Sequence, residues 1–92
     1  MYNMEEIKQK IIDTERSKSD ILIYINDYHI WYDCTGKKNE ISVHDNHNLT
    51  LKFYDFVSKV EYDDNIICFI CDTEFGTIEL KFGCEDIDSI ST

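Results

Sequence analysis

Ninety-two residues, 42% hydrophobic and 13% aromatic, are enough for one compact domain; a chain of this length buries only about 60–65% of its unfolded surface, so one core is expected. Nineteen acidic residues against nine basic give a net charge of -10, a surface that repels nucleic acid and anionic membranes, both of which are bound through Lys and Arg. Direct nucleic-acid binding and membrane association are thereby excluded as expectations. No apolar run approaches the roughly 20 residues of a membrane span, and the start MYNMEEIKQK lacks the basic-then-apolar order of a signal peptide, so the cytoplasm is the expected compartment.

Met4, Ile7 and Ile11 follow the spacing of one helical face, Ile12 widens the stripe, and Glu, Lys and Gln fill the other side. This predicts an amphipathic helix over residues 4 to 17, capped by Asn3 with Glu6 three places on. Glu5 and Glu6 suit the positive end of its dipole, and Arg16 and Lys18 the other. After Asp20 the period changes to two and β-branched and aromatic residues take over. Strands are expected at 21–25, 28–34, 41–43, 49–53, 59–63, 66–71 and 77–82, with turns at Asn26-Asp27, Asp45 to Asn48, Asp63 to Asn65 and Thr73 to Gly76. The connections are too short for parallel crossovers, so the sheet is an antiparallel meander.

Strands 21–25 and 66–71 are apolar on both faces and are expected to be covered on both, with the helix on the outer face of a curved sheet whose interior is the core. The fold class is α+β: an N-terminal amphipathic helix on a strongly curved antiparallel meander, or partly closed barrel, of about six to seven strands. One domain spans 1–92, with the helix at about 4–17, the sheet at about 20–82 and a short tail or turn at 83–92, where Ile87 and Ile90 are placed to reach the core through one helical turn.

Motifs for chemistry are thin. Cys68-x-x-Cys71 has metal-pair spacing, but residues i and i+3 of a strand point to opposite faces, and no second Cys pair matches. In a reducing compartment Cys34, Cys68, Cys71 and Cys84 are expected as free thiols acting as small core hydrophobes. His44-x-x-His47 reads as surface histidines at a turn. With only Gly36, Gly76 and Gly83, no phosphate-cradling loop is available. No catalytic residue, metal site or cofactor is assigned, and an enzyme is not expected.

Charge is the feature with a functional reading. Residues 1–19 carry four acids and four bases, so the whole net charge falls on the remainder; from Glu61 onward there are nine acids and one base, Lys81. Glu61, Asp63, Asp64, Asp72, Glu74, Glu79, Glu85, Asp86 and Asp88 are expected to form a negative field that steers a basic partner. Same-face residues on a strand are about 6.6 Å apart, close to two phosphate steps along DNA, so such a surface can imitate a nucleic-acid backbone. Trp31, on the polar face of its strand with His29 and Asp33, is a candidate binding anchor. The expected function is a small acidic inhibitor occupying the basic nucleic-acid site of a nuclease or defence effector. In bulk properties alone, with no motif in common, the chain resembles small phage or plasmid inhibitors and toxin-neutralising immunity proteins. Its rivals are a homo-oligomeric accessory protein, such as a homodimer, binding through apolar surface, and a small-ligand barrel with His29 or Trp31 at its mouth.

Overall fold

A computed structural model describes residues 2–45 and 52–92. Helix α1 (Met4–Ser17) starts at Asn3, whose extended backbone lets its Oδ1 accept from the Glu6 amide at 3.0 Å, and stops at Lys18, which adopts the left-handed conformation (φ 54°). Its buried stripe is Ile7, Ile11 and Thr14. Thr14 is tolerated there because its hydroxyl donates to the Lys10 carbonyl at 2.8 Å. Ile12 lies at the stripe's margin and is only partly buried.

Seven strands follow: β1 (Asp20–Ile25), β2 (Tyr28–Asp33), β3 (Glu40–Asp45), β4 (Asp55–Asp63), β5 (Ile66–Thr73), β6 (Gly76–Gly83) and β7 (Ser89–Ser91). All described pairings are antiparallel and the order is β6-β5-β4-β3-β2-β1-β7. The sheet is a meander extended by β7 and is open, with β6 and β7 as its edges. Asn26 (φ 50°) and Asp64 (φ 51°) begin two two-residue turns, using the tolerance of Asn and Asp for left-handed backbone; Gly76 (φ 123°) closes a third, between β5 and β6.

The core lies on one face. Ile21, Ile23 and Ile25 of β1, Ile30 and Tyr32 of β2, Ile41 of β3, Val57 of β4, Ile67, Phe69 and Cys71 of β5, and Phe82 of β6 form a single cluster with Ile7 and Ile11. Tyr32 and Phe69 meet edge to face at 5.0 Å, although their strands stand three positions apart, about 14 Å in a flat sheet. The sheet therefore bends toward the helix. Among the described residues pairing is thinnest between β3 and β4, which share the pairs Glu40–Phe56 and Ile41–Asp55, and a register shift follows between Val57 and Lys59.

Several expectations are corrected. The helix packs on the inner, concave face, not on an outer one, because the alternating apolar residues of every strand converge there and one helix suffices to cap them. The second faces of β1 (Leu22, Tyr24) and β5 (Cys68, Ile70) lie on the side of the sheet away from α1, and Cys68 is nevertheless buried. Of the strand expected at 49–53, Leu49 and Leu51 fall outside the described residues, and Phe53 lies before β4 in a segment that is not strand. The tail forms a 3-10 turn at Cys84–Asp86 that buries Ile87. It continues as β7, where Ile90 pairs with Ile23, not as a helical turn carrying both isoleucines.

Replacing Ile11, fully buried between helix and sheet, by Ala is expected to cost about 3 kcal/mol. The effect is read as a lowered urea midpoint with an unchanged m-value.

Candidate protein-binding surface

Strand register places Asp20, Leu22 and Tyr24, His29, Trp31 and Asp33, and Glu40, Ser42 and His44 on the outer half of β1–β3. Glu61 and Asp63, Ile66, Cys68 and Asp72, and Thr77, Glu79 and Lys81 continue that face over β4–β6. Trp31 is 37% exposed, and its indole nitrogen donates to Asp20 at 2.9 Å, which fixes the ring against the surface. Beside it Tyr24, His29 and His44 form a row of rings, with centroids 5.1 and 5.0 Å apart. Ser42, buried beneath, shares a 2.8 Å hydrogen bond with His44 Nε2. Burial first, then the neighbouring His29 and Lys52, holds the His44 imidazole below its ordinary value.

The acidic residues do not form one patch. Asp63 and Asp64 end the β4–β5 hairpin beside Glu85 and Asp86, a corner tied together by the Cys84 amide donating to the Asn65 carbonyl at 2.8 Å. Asp72 and Glu74 lie at the opposite end of β5, roughly 25 Å away for a strand of this length. Between them, Glu61 and Glu79 line a groove with Cys68, but each carries its own cation, Lys59 at 3.4 Å and Lys81 at 3.3 Å. These exposed pairs contribute little to stability, yet they interrupt the run of negative charge. Trp31 is three strands from β5 and belongs to a different part of the face. Asp88 serves the fold: its carboxylate accepts from the Asn26 amide at 2.7 Å.

A surface that the sequence reasoning missed lies at the Glu74 end. Phe75, at the tip of the β5–β6 turn, is 92% exposed, Tyr54 61% and Phe56 41%. Together with Asp55, Asp72, Thr73 and Glu74 they line an open groove of about 350 Å³. Lys38 Nζ already sits 4.3 Å from the Phe56 ring centre, so that ring face receives a cation. The available signal was Phe75 itself, a large apolar residue within a turn whose other members are Thr, Glu and Gly. Large exposed aromatic rings are the residue type that anchors protein interfaces, whose charged residues sit mainly at the rim.

The four cysteines are free and buried. Burial raises each thiol above its ordinary value, Cys71 to about 11. Cys68 and Cys71 point to opposite faces, and no group of three or more His, Cys, Asp or Glu is arranged to hold a metal among the described residues. No described helix is long and apolar enough to cross a membrane. Comparison with protein-family models, curated proteins and solved structures finds no match for this chain.

Two outcomes are expected. A disulfide-exchange reagent at about pH 8, near the ordinary thiol value, labels the four cysteines slowly in the native protein and rapidly in urea. Because His44 is held low in the folded state, the unfolded chain takes up its proton first. Stability is then greatest above about pH 6.5 and declines as pH falls through and below that value. His44→Asn should flatten this decline in urea titrations at successive pH values.

Proposed function

We propose that this chain is a small acidic inhibitor that binds a basic, nucleic-acid-handling protein, such as a nuclease or a defence effector, and blocks its nucleic-acid site. It does this in the cytoplasm and without catalysis of its own. The observation that carries the reading is the groove at the β5–β6 turn, where Phe75, Tyr54 and Phe56 stand exposed among Asp55, Asp72 and Glu74. A nucleic-acid site offers Arg and Lys side chains arranged for phosphates and aromatic or apolar surface arranged for bases. Carboxylates next to exposed rings answer both, the carboxylates standing in for phosphate oxygens and the rings for bases.

The division of labour follows from charge and distance. A net charge of -10 raises the rate of encounter with a basic protein over distances of about a Debye length. Ring burial at contact then slows dissociation, since truncating a central aromatic anchor generally costs more than removing a rim charge. The acidic corner of Asp63, Asp64, Glu85 and Asp86 contributes to steering in this reading, and the paired Glu61 and Glu79 contribute less.

The test is capture of the partner from the host with the tagged full chain, followed by affinity measurements on the purified pair. The complex should weaken at least tenfold between about 50 and 300 mM salt. Phe75→Ala should raise the dissociation constant by about tenfold or more, and Asp72→Lys with Glu74→Lys should slow association. A captured protein that is not basic, or an affinity indifferent to salt, would sink the proposal.

A further inference from the structure

We infer that the chain pairs with a second copy of itself, β6 against β6 in antiparallel fashion, centred on Leu80. This inference stands on the strand edge and is independent of the inhibitor reading.

β6 has eight residues, among the described residues pairs only with β5, and runs in unbroken register from Gly76 opposite Thr73 to Gly83 opposite Ile66. Long edges are templates for further strand pairing, and natural sheets blunt them with Pro, bulges, very short strands or unpaired charges such as Lys; the charges of β6, Glu79 and Lys81, are of opposite sign and so can pair across a two-fold junction. β6 has neither Pro nor bulge, whereas the opposite edge, β7, has only three residues.

The turn fixes which backbone groups are available. Thr73 and Gly76 flank a two-residue turn and so form a hydrogen-bonded pair. Alternation then directs the amides and carbonyls of residues 76, 78, 80 and 82 toward β5 and those of Thr77, Glu79 and Lys81 toward the open edge. The Cys84 amide, donating inward to Asn65, fits the same parity.

Only a few two-fold registers let those outward groups meet, and charge selects among them. Centring on Glu79 or on Lys81 sets like charges directly opposite, which is destabilising. Centring on Leu80 sets Glu79 opposite Lys81 of the second copy, twice over by symmetry, and Thr77 opposite Gly83. On the other face, Ile78 falls opposite Phe82, and Leu80 opposite its own equivalent. Ile78 is 41% exposed in the single chain, so the pairing extends the apolar inner row across the junction. Lys81, 3.3 Å from its own Glu79, would then lie between two glutamates. The same register sets the Glu74 turn of one copy alongside the Glu85–Asp86 turn of the other, adding repulsion that salt screens over about 8 Å at physiological ionic strength.

The experiment is sedimentation equilibrium of the full chain at physiological ionic strength, from low micromolar to submillimolar concentration. The expected result is a reversible species of twice the 10.9 kDa chain mass. Lys81→Glu and Glu79→Lys should each weaken the dimer by about tenfold, since each sets like charges opposite at both symmetric pairs. One makes the net charge more negative and the other less so, so a loss in both reports the cross-strand pairs and not the overall charge. The double exchange, Glu79→Lys with Lys81→Glu, should restore dimerisation. Far-ultraviolet circular dichroism checks that each variant remains folded. A monomer throughout the concentration range, a dimer indifferent to either reversal, or a double exchange that fails to restore it would overturn the inference.

Discussion

Tyr32 is the side chain on which the rest of the structure depends. Its ring is fully buried on the concave face and meets Phe69 of β5 edge to face, while its hydroxyl donates to Glu15 of the helix at 2.7 Å and accepts from Asn39 at 3.0 Å. One residue thus joins α1, β2, the loop before β3 and the far half of the sheet. Such a buried hydroxyl is favourable only while its partners hold it, and burial together with the Glu15 carboxylate keeps it protonated well above the ordinary tyrosine range. Helix and sheet are thereby tied at one side chain, which bonds Glu15 of the helix with its hydroxyl and packs on Phe69 with its ring.

Gathering the core on the concave face decides what the other face can be. With the alternate apolar residues of each long strand gathered against the helix, the outer face carries His29, Trp31, Ser42, Glu61, Glu79 and Lys81 together with Leu22, Tyr24, Phe56, Ile66 and Ile70. Its residues are held by local bonds, such as Trp31 to Asp20 and Ser42 to His44. A small domain has too little interior to hide all its aromatics. In this chain the exposed ones gather mainly where the hairpin tips and the start of β4 meet, beside carboxylates that keep the region hydrated.

The charge pattern read along the chain and the charge pattern in space differ for one reason. Nine acids in the last third of the sequence look like a continuous field, but an antiparallel hairpin sends neighbours in sequence to opposite ends of a strand. Asp63 and Asp64 end up with Glu85 and Asp86, while Asp72 and Glu74 lie a strand's length away. Lys59 and Lys81, minor in a count, become important because each sits two residues from a glutamate on the same face.

The sequence by itself determined what depends on local periodicity and turn chemistry: the helix with its Asn3 cap, the antiparallel order, the tight turns at Asn26 and Asp64, and the alternation that makes Trp31 and Glu79 outward residues. These follow from contacts within a few positions along the chain. Only the tertiary structure decided which face of the sheet the helix covers, that β5 has only one face against it, that the tail returns as β7 beside β1, and that Tyr54, Phe56 and Phe75 share one groove. Those outcomes depend on contacts between distant segments, such as Tyr32 of β2 with Phe69 of β5 and Ile23 of β1 with Ile90 of β7. These residues are far apart in sequence, so no local pattern records that they meet.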